Sequence, residues 1–310
     1  MTAQEPRTDS PSAPRIAVVL GSGGIKCIAT MGLLRVLMRR RLPIDLVVGS
    51  SGGSIFAACY GCYPDDYEKI EGFLWSYWTP DIFRDFDYYG IFKALVRPRR
   101  ARASTFGIIK GERIYRNLSL MFPDKRIEHA RVPMRLVATD AMRASHVVLD
   151  QGEVARAVRA SVSLPLYMKP VVDGDRLLLD GGLSNPLPVD VAAAAGARII
   201  ISMGFENTAD TPITHPLNLL NQMIRMRSNN LIRAHHGLQV LTFPGTLINI
   251  HPSFSHHHSF FKFDAMREII QIGVDATERA IPRIEEALER LDEAPPPDAP
   301  RPPRPDLSIH

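Results

Sequence analysis

A serine set among glycines at fixed spacing is the first feature of this chain that points to chemistry. Gly49-Ser50-Ser51-Gly52-Gly53 fits the pattern G-x-S-x-G. A serine on a sharp strand-to-helix turn sits in strained backbone, so its neighbours have to be small. Gly49 and Gly53, two positions to either side, let strand and helix approach with no side chain between them. The turn lifts Oγ out at a helix N-terminus, where free N–H groups and the helix dipole favour a developing oxyanion; the Gly52 amide is the natural donor. The implied chemistry is acyl transfer with Ser51 as nucleophile. The plain alternative is an ordinary Gly/Ser-rich turn.

A second cluster, Gly21-Ser22-Gly23-Gly24-Ile25-Lys26, tempts a dinucleotide-loop reading. The third glycine of that fingerprint falls on Lys26, and the Gly-Lys-Ser/Thr of a phosphate-binding loop is absent too. The cluster reads better as further oxyanion donors, the Gly23 and Gly24 amides, with Lys26 adding positive field or a phosphate contact, or else standing as a solvated helix residue. A serine nucleophile needs a base. Asp180 in LLLDGG stands at a strand end before Gly181 and Gly182, which permit a turn and close approach. A carboxylate there projects from the C-terminal edge of an open α/β sheet, where such sheets place their sites; the rival reading is a turn cap. His235, His236, His251 and His256 to His258 follow Asp180, which is the chain order of a Ser–His–Asp hydrolase, but no HGGG-type motif accompanies them.

These residues need a scaffold. Ile16 to Leu20 (IAVVL) is a short apolar, β-branched run of the kind that forms a buried parallel strand. The Gly-rich turn follows it, and then Ala29, Leu33, Leu34, Val36 and Leu37 fall at helical spacing. A second strand, 46–48, enters the Ser51 turn, and 55–62 reads as a helix. Two strand–turn–helix units in succession predict a parallel sheet with helices on its faces. Sheet pattern returns at 134–139, 176–179 and 198–203, and the stretch 263–291 reads as one or two surface helices. Residues 64–125 hold both tryptophans, Trp75 and Trp78, with Phe73, Tyr77, Phe83, Phe86, Tyr88, Tyr89 and Phe92. They read as a helical insertion whose aromatics line an acyl pocket or pack a core. A basic run follows from Arg97, a solvated face or a contact for phospholipid head groups.

Composition sets outer bounds. The chain has 310 residues and a formal net charge of +4. That is mildly basic, with no nucleic-acid motif, so no nucleic-acid partner is expected. Three cysteines, Cys27, Cys59 and Cys62, give no disulfide framework and suit a reducing compartment; Cys59 and Cys62 read as buried thiols rather than a redox pair. The N-terminus lacks an apolar signal region and no run is long enough to span a bilayer, so a cytoplasmic protein with peripheral membrane contact is expected. Residues 1–14 and the Pro-rich 294–310 read as disordered, leaving 15–293 as the folded domain. Neither calcium-loop nor zinc spacing appears, and His256 to His258 converge poorly on one ion, so no metal or cofactor is expected. Phe254, Phe260, Phe261 and Phe263 make their stretch amphipathic and lipid-facing.

Taken in order, IAVVLGSGGIKCIATMGLLRVL, VVGSSGGSIFAACYG, VPMRLVATDA, ARAVRASVSLPLYMKPVV and LLLDGGLSNPLPVDVAAAAGARIIISMG resemble the patatin-like phospholipase family across most of the folded chain. The resemblance implies a three-layer α/β/α sandwich with a mostly parallel sheet, and a Ser–Asp dyad without a catalytic histidine. By position, Ser51 resembles the nucleophile and Asp180 the base; Gly21, Gly23 and Gly24 resemble the oxyanion loop, with Lys26 at its basic position. The implied substrate is a lipid acyl ester, cleaved through an acyl-enzyme. One residue departs from the pattern. The family loop usually has glycine after the basic residue, and here that place is Cys27. If the position needs a positive φ, cysteine would be costly there and activity reduced or redirected, leaving a catalytically weakened lipid-binding protein.

Overall fold

The computed structural model describes residues 15–96, 106–205, 214, 216–254 and 265–293. The two terminal segments expected to be disordered, the basic run from Arg97, His256 to His258, and Phe260, Phe261 and Phe263 lie outside them.

The sheet comprises β1 (Ile16–Leu20), β2 (Leu46–Ser50), β3 (Met134–Asp140), β4 (Ser145–Leu149), β5 (Val171–Asp173), β6 (Arg176–Asp180), β7 (Ile199–Met203) and β8 (Thr246–Ile250). They lie in the order β5-β6-β3-β2-β1-β7-β8, with β4 against β3. The pairs β3–β2, β2–β1, β1–β7 and β7–β8 are parallel. β4 and β6 run antiparallel to β3, so the sheet is mixed around a parallel centre.

The helices are α1 (Ala29–Arg39), α2 (Gly52–Cys62), α3 (Tyr67–Tyr77), α4 (Tyr88–Val96), α5 (Glu112–Met121), α6 (Val154–Ser161), α7 (Val189–Ala194), α8 (Pro216–Thr242) and α9 (Met266–Glu293). β1 is buried throughout because each of its faces has a cover. Ile16, Val18 and Leu20 join the core built by α1, α2 and α9. Ala17 and Val19 join the core built by α7 and by Ile232 of α8. That two-sided burial makes the three-layer sandwich.

Where one or two surface helices were expected at 263–291, the described residues form one helix, α9, with one face in the core. Ile269, Ile270, Ile281 and Ile284 are buried. α9 approaches α1 at Gly32, where a Cβ would stand 2.6 Å from the Gly273 carbonyl carbon. Within 64–125 the described residues include α3, α4 and α5.

One feature of the topology positions the site. β3 pairs through Val137 with Ser50 of β2, and through Ala138 with Asp180 of β6. β4 pairs with 136–140 and occupies the other edge of β3. β2 and β6 therefore share one edge of β3 and meet tip to tip. Asp180 reaches the C-terminal edge of the parallel strands from an antiparallel strand, a different route from the one the sequence suggested.

Candidate active site

Ser51 has φ 53° and ψ −129°, in the half of φ space that non-glycine residues rarely occupy. Three contacts hold it there. Its N–H donates to Ser161 Oγ at 2.9 Å. Its carbonyl accepts from Ser54 N at 2.9 Å and from Ser54 Oγ at 2.6 Å. Ser161 Oγ in turn donates to the Val137 carbonyl at 2.6 Å, which ties the turn to β3. The glycine requirement is steric: a Cβ at Gly49 would meet Ser54 Cα at 2.6 Å, and one at Gly53 would meet the Gly21 carbonyl oxygen at 2.6 Å.

Asp180 makes a contact that fits each of the two readings the sequence left open. Its Oδ2 accepts from Ser51 Oγ at 2.7 Å, while its Oδ1 accepts from the Gly182 N–H at 2.8 Å and caps the turn. The strand end is fixed by Asp180 N donating to Ser163 O at 2.9 Å and by Thr139 Oγ1 donating to Asp180 O at 2.7 Å. Gly181 packs under Ser50, whose hydroxyl donates to Asn185 O at 2.8 Å. Asp180 is buried, and burial raises its pKa from 3.8 to about 6, against the opposing pull of the Ser51 and Gly182 hydrogen bonds. A carboxyl tuned to that range takes and returns a proton near neutrality.

The first glycine loop folds over the Ser51 turn. Gly21 N donates to Met203 O at 2.9 Å and Ser22 N to Pro186 O at 2.7 Å, which fastens the loop between β7 and the segment after Gly182. Gly24 takes the left-handed conformation, φ 58°. Cys27 does not; it lies in the 3-10 turn Gly24–Ile28. The strain expected at Cys27 is therefore absent, and the glycine requirement falls on Gly24. Cys27 Sγ donates to Gly21 O at 3.3 Å and packs against Gly52, where a Cβ would stand 2.8 Å from it. Burial pushes this thiol's pKa up, so it stays neutral. Cys59 and Cys62 are buried and free as well.

Ser51, Asp180, Gly23, Gly24 and Gly52 all open on one cavity of about 600 Å³. Among the described residues, nothing accepts a hydrogen bond from the N–H of Gly23, Gly24 or Gly52. Away from them the lining is mostly apolar, and the insertion gives Trp78, Phe83, Phe86, Ile108, Ile109 and Ile114 to it. The insertion's aromatics thus divide. Trp78, Phe83 and Phe86 face the cavity, whereas Tyr88, Tyr89 and Phe92 face out. Lys26 is not part of the lining; its Nζ sits 5.2 Å from the centre of the Phe254 ring. No histidine lines the cavity among the described residues, and His236 pairs with Asn249 on β8 instead.

Two contributors escaped the sequence reading. Ser161 looks like any small residue of an amphipathic helix. α8 was not anticipated at all, yet it lends Asn218, Ile224, Arg225 and Ser228 to the lining.

Rat patatin-like phospholipase domain-containing protein 7 is 31% identical over 202 residues, covering 64% of this chain and 14% of that protein. An uncharacterised NTE family protein of Mycobacterium bovis is 28% identical over 228 residues, 72% of this chain and 59% of that one. The chain therefore spans a minor part of the first relative and little more than half of the second. A crystal structure of VipD from Legionella pneumophila aligns with 91% of this chain and 67% of that chain, at a TM-score of 0.44 and 15% identity. The family model for patatin-like phospholipase matches residues 18–193, more than half of the sequence, and the chain belongs to that family.

Proposed function

We propose that this protein is a serine hydrolase of lipid acyl esters, working through a Ser51–Asp180 dyad. The observation that carries the reading is the 2.7 Å hydrogen bond from Ser51 Oγ to Asp180 Oδ2 at one end of an apolar cavity. A serine hydroxyl bonded straight to a buried carboxylate leaves the place of an intervening imidazole filled.

The chemistry runs in two halves. Asp180 Oδ2 accepts the Ser51 proton as Oγ attacks the ester carbonyl carbon. The carbonyl oxygen becomes an oxyanion that the N–H groups of Gly23, Gly24 and Gly52 receive, with the N-terminus of α2 adding its dipole. Asp180 then returns the proton to the departing alcohol oxygen, leaving an acyl group on Ser51. A water repeats the sequence, giving its proton to Asp180 and attacking the acyl carbon; Ser51 regains its proton as the acid leaves. One carboxyl acts first as base and then as acid, which suits a pKa of about 6 better than one of 3.8. The apolar lining supplies binding for an acyl chain, at about 25 cal/mol for each Å² removed from water. Gly21, Gly49, Gly53, Gly181 and Gly182 shape the two turns, while Lys26 has no place in these steps.

The test is hydrolysis of a panel of phospholipids, lysophospholipids and neutral acylglycerols by the native chain and by Ser51→Ala. The expected result is turnover of at least one class that falls by about a thousandfold or more in the variant. Equal turnover by folded Ser51→Ala would overturn the reading.

A further inference from the structure

We propose that the outer face of α8, together with the exposed rings of α4, docks this protein on the surface of an anionic phospholipid bilayer. The proposal rests on the lipid-ester reading only for what the docking achieves; the surface itself stands on separate observations.

α8 is two-faced in an unusual sense. Its inner side is buried at Ser228 and Ile232 and gives Ile224, Arg225 and Ser228 to the core and the cavity. Its outer side carries Leu219, Met223, Met226, Leu238 and Leu241, all exposed, Met223 at 58% and Leu241 at 84%. Steps of three and four residues place Leu219, Met223, Met226 and Leu241 on one stripe with Asn230, Ala234 and Gly237. Single exposed apolar side chains are ordinary on a protein surface; Leu219, Met223 and Met226 on successive turns of one face, with Leu241 further along it, form a patch.

The second patch lies on α4. Phe86 lines the cavity and its ring is 5.8 Å from that of Tyr88. Tyr88 and Tyr89 are each 75% exposed and Phe92 is 63% exposed. α4 is anchored from beneath, since buried Asp87 pairs with Lys169 Nζ at 2.7 Å and accepts from Gly90 N at 3.2 Å. The exposed ring face is thus held in place beside the opening rather than trailing from it.

Charge selects the occupant. Over residues 216–242, α8 carries no carboxylate, and Arg227 and Arg233 lie on its exposed side. A helix with an apolar stripe and basic flanks, and tyrosines beside it, fits the boundary between head groups and acyl chains of an anionic membrane. A second copy of this chain fits worse. A symmetric contact would set the arginines of one α8 against those of the other, with no acid to meet them. Docked this way, the bilayer comes close to Phe86 and to the α8 residues that line the cavity.

The test is vesicle flotation of the full chain carrying Ser51→Ala, which removes hydrolysis from the readout. Vesicles are either phosphatidylcholine alone or phosphatidylcholine and phosphatidylglycerol in equal parts. The expected result is binding to the mixed vesicles that weakens by about tenfold or more on Met223→Asp with Met226→Asp, and likewise on Tyr89→Asp with Phe92→Asp. Arg227→Glu and added salt weaken it too, and pure phosphatidylcholine binds poorly. In chains that keep Ser51, these variants hydrolyse a soluble ester, p-nitrophenyl butyrate, within about twofold of the native rate, which also reports that they fold. Variants that float like the parent would overturn the proposal. So would equal binding to both vesicle types, or a lipid-free dimer in solution that the Met223→Asp, Met226→Asp pair dissociates. If no ester is cleaved by the native chain, the hydrolase reading fails while flotation still decides the docking.

Discussion

Replacing Asp180 by Asn should abolish turnover and at the same time make the folded protein more stable at neutral pH. The size follows from the site. Burial holds the native carboxyl near pKa 6, while the unfolded chain returns it to 3.8. A gap of about two units at 1.36 kcal/mol each amounts to roughly 3 kcal/mol. Below pH 3.8 the carboxyl is protonated in both states and burial costs little. Between 3.8 and 6 the unfolded state releases its proton first, so stability falls as pH rises. Above 6 the whole penalty applies. Asn carries no such penalty, keeps an acceptor for the Gly182 N–H and offers an amide to Ser51. Urea unfolding of both proteins from pH 4.5 to 8 should therefore show a gap in favour of Asp180→Asn that grows with pH and levels off above about 6, at up to about 3 kcal/mol. A gap that does not change with pH, or a variant less stable at pH 8, would refute the assignment of Asp180 as a desolvated base.

The same carboxyl should govern activity: log kcat/KM on a soluble ester rises with slope one below pH 6 and flattens above it, and a limb centred near 4 would contradict the burial argument. Ser161→Ala removes the acceptor of the Ser51 N–H. It should lower kcat by about tenfold to a hundredfold with little change in KM, and cost about 1–3 kcal/mol in urea unfolding; unchanged kcat would show that the turn holds its strain without Ser161. Gly52→Ala drives a methyl into Cys27 Sγ. Alone it should destabilise the fold, and Cys27→Gly should recover at least about 1 kcal/mol of that loss in a double-mutant cycle; strictly additive losses would mean the two residues do not press on each other.

What could be read from the sequence was local. IAVVL-GSGG and LVV-GSSGG each place a β-branched run before a glycine turn and a helix, so β1, α1, β2 and α2 and the position of Ser51 were readable together. Asp180 was readable as a candidate base from its strand-end position and from the resemblance, but the way it arrives was not. The sequence cannot announce that β6 runs antiparallel and ends against β2 on one edge of β3, because register is a property of pairs of strands. α8 was hidden by its own pattern. Its outward face carries Met223, Met226 and Leu241, and its inward face carries Gln222, Arg225 and Ser228, which inverts the usual rule for a surface helix. β4 was hidden because it begins with exposed Ser145 and His146 at a sheet edge. The concern over Cys27 was misplaced by three residues, since the left-handed turn falls at Gly24.

The most direct test of the central claim is the site and rate of covalent labelling by a fluorophosphonate, read by mass spectrometry of the peptides. The account expects one adduct, on Ser51, formed by the native chain, lost in Ser51→Ala and slowed by about a hundredfold or more in Asp180→Asn. No adduct on Ser51, or labelling of Asp180→Asn at the native rate, would contradict it.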